Sequence, residues 1–369
     1  MGVFTHNNVN KVTFGENVRW LNGSMANAFR NCRNFNYPIT IPRNVTNMRY
    51  AIYNCLNFNQ PITIPNSVVD TSWAISTCQN FNKKVSFENG ITNLSATIYN
   101  CMNFNYPLDI PTSVIDYSPV DSCPKFNQSI TLHDGVQHFS IQNCVNFNKP
   151  VSIPNSVTNM YSAFRYCNNF NQLITIPNNV TDMGCTFQRC INFNQPIVIP
   201  DSVTSMDATF DNCQKFNQPV NIPNNVVGHM DSIFNNCRMF NQPITIPNGV
   251  TYLQNAFRDA QNFNSLVVIG SGVTDLGNAF LNCKNMSKNI TIYSNNVTRA
   301  YGMLQGKNNS KRINLIIPNN NQTINFFLNV NTQSGTRILG STTSPVSWTN
   351  ANGYYYNTKY NVYIYHNQF

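Results

Sequence analysis

The sequence predicts a repeat solenoid of short parallel β-strands joined by short helical or 3-10 turns, closed by a small β-rich C-terminal cap. Three observations predict it. Cysteine recurs with a period of about 23 residues through most of the chain. A Phe-Asn pair follows nearly every cysteine of that series at a constant distance. An apolar-x-Ile alternation ending in proline, with Ile-x-Ile its commonest form, comes next in most periods. Self-similarity at a fixed period of roughly 20–50 residues marks units that bury their apolar edge only by stacking on copies of themselves.

Taken in chain order, residues 1–31 read as an N-terminal cap or half-repeat, with repeat-like sequence from Val12 to Arg30. Residues 32–306 hold about twelve repeats. Their cysteine column reads Cys32, Cys55, Cys78, Cys101, Cys123, Cys144, Cys167, Cys190, Cys213, Cys237, Ala260 and Cys283. Phe35 through Phe263 follow three residues later, each before an asparagine, until Met286 and Ser287 end the series.

The unit starting at Cys190 shows the local chemistry. Ile197-Val-Ile199 alternates with the period of a strand. Pro200-Asp201-Ser202 is turn chemistry. Val203, Met206, Phe210 and Cys213 are spaced for a short helix or 3-10 turn. The asparagine after each phenylalanine is read as structural, an amide that satisfies backbone groups at a corner. Residues 307–369 differ in composition. Ile313–Pro318, Ile324–Val330 and Tyr360–His366 read as strands, with a turn at Asn352-Gly353, and the segment is a Tyr-rich cap or attachment module.

The stretch Ile176-Pro-Asn-Asn-Val-Thr-Asp-Met to Thr-Phe-Gln-Arg-Cys190 resembles the 23-residue leucine-rich repeats of the BspA-like type. The Phe-Asn-Gln-Pro element is similar to FNIP and Mycoplasma-type repeats. The resemblance covers residues 12–305 and implies a leucine-rich-repeat-like solenoid and a surface adhesin or interaction protein. The chain departs from secreted members because Met1–Asn10 does not read as a signal peptide. It also places Phe-Asn where the usual pattern has small polar residues and leucine.

Composition narrows the function. Charged residues are 10% of the 369, and 67 are asparagine, so the polar skin is made of amides and hydroxyls. The net charge of +9 is dispersed, and a nucleic-acid surface needs clustered Lys and Arg. No stretch reaches the roughly 18 apolar residues of a membrane span. Eleven of the twelve cysteines form a column of parallel side chains that cannot converge tetrahedrally on zinc, so buried free thiols are expected, and Cys185 lies off the column. His133, Asp134 and His138 fall in the most irregular repeats and read as a surface loop. Paired carboxylates, phosphate loops and nucleophile elbows do not stand out. The expectation is a protein that binds rather than catalyses, with no cofactor and no metal.

Two outward sets are candidate binding surfaces. One is the row after Phe-Asn, including Tyr37, Gln60, Lys83 and Tyr106, beside a hydroxyl row at Thr40, Thr63 and Ser86. The other is an aromatic and arginine set, Tyr50, Tyr53, Trp73, Tyr99, Tyr161, Arg165, Tyr166 and Arg189, of the kind found at interface hot spots. An adhesin-like array without a secretion signal points to a virion component, a phage tail fibre or receptor-binding protein made in the host cytoplasm. Its expected partners are a host-surface glycan or protein, and other virion proteins or itself through the Tyr-rich end. The alternative is a cytoplasmic or cell-surface scaffold or adhesin.

Overall fold

The structure, a computed structural model, describes residues 20–308, 313–317, 336–340, 350–351, 354–357 and 362–366. The chain divides into two compact units, Met1–Asn179 and Val180–Phe369. Each is a parallel β-solenoid, with about 11 turns in all.

In the first unit, Ile62–Ile64 pairs in parallel with Val85–Phe87, one period on. Its burial pattern is in, out, in, as the Ile-x-Ile alternation requires. A second ladder joins Ile52–Tyr53, Ile75–Ser76, Ile98–Tyr99 and Val120–Asp121 in one parallel sheet. A third runs through bridges such as Ser24 to Asn47 and Asn47 to Asp70. The second unit repeats the first ladder through Ile244–Ile246, Val267–Ile269, Ile290–Ile292 and Ile313–Ile317.

At the C-terminus that ladder continues into Thr336–Gly340 and Val362–His366, both parallel. Tyr354–Asn357 and Asn350–Ala351 then pair antiparallel at its edge. The strands expected at Ile313–Pro318 and Tyr360–His366 are therefore present as Ile313–Ile317 and Val362–His366. Ile324–Val330, Asn352-Gly353 and the half-repeat before Trp20 lie outside the described residues.

Identical side chains stack along each core. In the first unit Phe35, Phe58, Phe81 and Phe104 are fully buried, with neighbouring ring centroids 5.8, 5.7 and 5.5 Å apart. In the second, Phe193, Phe216, Phe240 and Phe263 stack at 5.8, 6.0 and 5.9 Å. Offset stacking adds about 0.5–1.5 kcal/mol per pair beyond area burial.

The helical turn expected before each cysteine is absent. Among the described residues the single helical element is the 3-10 turn Leu21–Gly23. In the coil ending at Cys190, the amides of Thr186, Gln188 and Cys190 bond three residues back, to Met183, Cys185 and Phe187. The alternate amides of Cys185, Phe187 and Arg189 bond instead to the next coil, at Asp207, Thr209 and Asp211. Cys185 and Arg189 are left-handed, with φ 54° and 61°. Consecutive tight turns, each broken by a left-handed residue, reproduce the three-and-four spacing of a helix while half the donors leave for the neighbouring coil.

The asparagines after phenylalanine are structural, as read from the sequence. Asn36 Oδ1 accepts the Asn59 amide at 2.9 Å, and Asn59 and Asn82 repeat the bond to Asn82 and Asn105 at the same distance. The second unit has the same chain from Asn194 through Asn217, Asn241 and Asn264 to Ser287.

Candidate functional site

The cysteine column is buried in the scaffold. All twelve cysteines are free thiols, and eleven are buried. The Cys55, Cys213 and Cys237 thiols lie 2.9 Å from the carbonyls of Phe29, Phe187 and Phe210 on the preceding coil, and donate to them. Burial pushes the Cys144 thiol up to about 12 and raises those of Cys213 and Cys237.

The surface row after Phe-Asn is partly committed to the scaffold. Gln60 Nε2 donates to both the carbonyl and the side-chain oxygen of Asn36, at 3.1 Å each. Tyr37, Lys83 and Tyr106 are exposed. The hydroxyls of Thr40, Thr63 and Ser86 line a shallow groove of about 460 Å³ in the first unit. A bidentate ion pair between Arg43 and Glu88, both bonds 3.1 Å, crosses it.

The aromatic set is divided. Its core is three residues of the first unit. Tyr50 and Trp73 stack with centroids 5.3 Å apart and planes 9° from parallel. Tyr53 meets Tyr50 edge-on at 5.7 Å. Two guanidiniums complete the group: Arg49 at 4.8 Å from the Trp73 ring and 5.7 Å from Tyr50, and Arg30 at 5.2 Å from Tyr53. Strand register places Tyr99 in line with Tyr53, with Ser76 between them, hence two strand spacings or about 9.6 Å away. Arg165 and Tyr166 form a separate cation–π pair at 5.1 Å. Tyr161 is exposed on an Asx turn made by Asn159. Arg189 belongs to the second unit.

The backbone marks the same residues. Tyr50 and Trp73 are left-handed, with φ 54° and 53°. In other coils this position holds Asn27, Ala96, Ser162, Cys185, Ala208, Ser232, Asn255 or Asn278, all small or amide side chains with positive φ. A bulky residue there is strained, and such strain persists where a surface has a use for it.

A profile named Mycoplasma protein of unknown function, DUF285, matches residues 23–133 and, in overlapping segments, 136–245, 177–268, 199–293 and 223–317. The chain belongs to the DUF285 family.

Among solved structures, this DUF285 protein is similar to a leucine-rich repeat protein from Bacteroides ovatus ATCC 8483. The identity is 15%, the TM-score 0.50, and the match covers 85% of this chain and 86% of that one. It is also similar to a leucine rich cell surface protein from Faecalibacterium prausnitzii A2-165, at 20% identity, TM-score 0.47, and 76% and 85% coverage. The curated proteins contain no match. The repeat is of the BspA-like leucine-rich type, as its Ile-Pro, Phe-Asn and Ala-Phe-x-x-Cys motifs imply.

Sequence reasoning missed several pairings, because stacking joins residues one period apart. His138 Nδ1 lies 2.8 Å from Asp116, while His133 Nδ1 lies 2.8 Å from the Asp134 carbonyl next to it. His229 lies 3.0 Å from Asp231 and stacks on Tyr252 at 4.2 Å. Asp207, one coil before Asp231, has its carboxyl raised by burial and then by the Asp231 charge. Arg30 and Arg49 join the aromatic set through coil register: Arg30 lies one coil before Tyr53, and Arg49 one residue before Tyr50. Among the described residues no group of three or more His, Cys, Asp and Glu is arranged to hold a metal, and no helix is long and apolar enough to cross a membrane.

Proposed function

We propose that this DUF285 protein is a non-enzymatic recognition solenoid, an adhesin or interaction scaffold. Its ligand is a surface glycan or protein bound by the face around Tyr50, Tyr53, Trp73, Arg30 and Arg49. One observation carries this reading. Two large aromatic rings, Tyr50 and Trp73, occupy left-handed positions that small residues or asparagine fill in other coils, and they stand half-exposed against Arg49, with Arg30 over the neighbouring Tyr53. The solenoid core does not need them, since its own apolar columns are complete at Met48, Cys55, Phe58, Cys78 and Phe81. Aromatic and arginine side chains dominate recognition energy at interfaces. The exposed Tyr37, Lys83 and Tyr106 extend the reading to a second, weaker surface, and the Tyr-rich end to self-association or attachment.

The test is saturable binding of the labelled protein to intact cells. A double variant, Arg49→Ala with Trp73→Asn, is expected to weaken binding at least tenfold, and Tyr37→Ala to do so less. Equal binding by the double variant would remove this face from the function. Release of reducing ends from polysaccharides by the purified protein would replace a binding role with catalysis. Display on a phage tail, the narrower form of the proposal, requires that an antibody to this chain decorate particles. Labelling confined to cell surfaces would instead make the protein a cellular adhesin.

A further inference from the structure

The Tyr50–Trp73 stack stops abruptly. The Trp73 amide donates to the Ala96 carbonyl at 3.2 Å, so Ala96 is the next residue in the same column. A methyl group cannot cover an indole, and Tyr50 is the one ring in contact with Trp73 among the described residues. The indole face turned toward that coil is therefore without a ring partner. Ala96 is itself half-exposed, so this ledge opens to solvent.

Its chemistry is cationic and hydroxylated. Arg43, Arg258 and Arg299 each pair with a carboxylate, at 3.1, 3.4 and 3.3 Å. Among the described residues Arg30 and Arg49 pair with none; Arg30 reaches only the Asn27 side-chain oxygen, at 3.4 Å. The Trp73 indole N–H and the Tyr50 and Tyr53 hydroxyls likewise have no protein partner among the described residues. Ser72 and Ser95 occupy the column beside the ledge, which is the column of Arg49.

Resting on the recognition role proposed above, we infer that the Trp73 ledge is a subsite for an acidic sugar. A pyranose ring continues the stack on the open indole face, and its carboxylate takes the unpaired guanidinium of Arg49, which already lies 4.8 Å from the Trp73 ring. A ring of C–H groups on one face suits an indole, while hydroxyls at its rim suit Ser72, Ser95 and the Trp73 N–H. A guanidinium binds a carboxylate through two parallel bonds. An acidic peptide would satisfy the charge, but its side chains gain most from apolar pockets. The ledge offers one aromatic plate among polar groups.

The experiment uses the full chain and two variants that keep the fold. Trp73→Asn puts at this left-handed position the residue found there at Asn27, Asn255 and Asn278. Ala96→Trp completes the ladder and covers the indole without removing any polar group. The probes are immobilised uronate- and sialate-bearing oligosaccharides, their methyl esters, and polyglutamate. Binding to at least one carboxylated glycan is expected, at least tenfold weaker to its ester, and lost in both variants whose circular dichroism and melting temperature match the parent. Retention of none of the carboxylated glycans overturns the inference, as does equal binding of esters, or polyglutamate binding that either variant abolishes. In those cases variant-sensitive binding to intact cells would leave the recognition role standing. Cell binding that neither variant disturbs would sink that role as well.

Discussion

At Thr77 the backbone is left-handed, φ 56°, in a column that holds Asn31, Asn54 and Asn100 in neighbouring coils. Asparagine tolerates this region because its short amide bonds locally, whereas a β-branched residue is a genuine outlier there. Left-handed geometry costs an ordinary residue roughly 1–2 kcal/mol. Among the described residues the Thr77 hydroxyl has only a 3.5 Å contact from the Asn100 side-chain amide to offset this. Thr77→Asn is therefore expected to stabilise the first unit by about 1 kcal/mol, read from urea denaturation; no change would show that the strain is already relieved. Tyr117 is a second local fault. It is fully buried, and its hydroxyl has no hydrogen-bond partner among the described residues. Burial raises its pKa strongly, so it stays neutral and unpaired. An orphaned buried polar group costs roughly 1–3 kcal/mol, so Tyr117→Phe should raise stability by about that amount. A loss of stability would mean that the hydroxyl is bonded in solution.

At the scale of one element, the corner after each phenylalanine shows how a coil is pinned to the next. Asn217 Oδ1 accepts the Asn241 amide at 2.8 Å and the Gln242 side chain at 3.2 Å. Asn217→Ala removes an acceptor shared by two donors, and is expected to cost roughly 1–3 kcal/mol. Faster hydrogen exchange at Asn241 should accompany the loss, since repeat stability is set by nearest-neighbour interfaces. Asn217→Asp keeps the acceptor and should keep the protection; if both variants exchange alike, the ladder is not what pins the corner. This element was legible in the sequence, because Phe-Asn recurs at one spacing and amides have few reasons to do so. The Met-to-Cys segment was misread for a physical reason. Met183, Phe187 and Cys190 are buried at helical spacing. Yet tight turns interrupted at Cys185 and Arg189 present the same periodicity. Apolar spacing reports which side chains face inward, not where the amides bond. The candidate face was half legible: Tyr50, Tyr53 and Trp73 were identified, but their convergence depends on coil register. Tyr99, Arg165, Tyr166 and Arg189 were grouped with them only by residue type.

Across the whole molecule the cysteine column acts as a set of reporters, one in nearly every coil. Eleven of the twelve thiols are buried, and Cys185 is half-buried. The thiolate is the reactive form, so a thiol whose pKa burial has raised reacts slowly even where reagent can reach it. Cys144, pushed up to about 12, and Cys213 and Cys237, raised in the same way, have almost no thiolate at pH 8. A thiol-specific reagent on the native protein should therefore report one fast site, assigned by its loss in Cys185→Ser, and twelve in guanidinium. The column thiols should become reactive only as their own coils open. Because column thiols such as Cys55, Cys213 and Cys237 donate to a carbonyl of the preceding coil, as Cys213 does to Phe187 at 2.9 Å, exposure of one of them reports the parting of two coils. A second fast thiol in the native protein would locate a coil that opens without denaturant. Reaction of all the column thiols at one native rate would contradict a stack whose stability is built interface by interface.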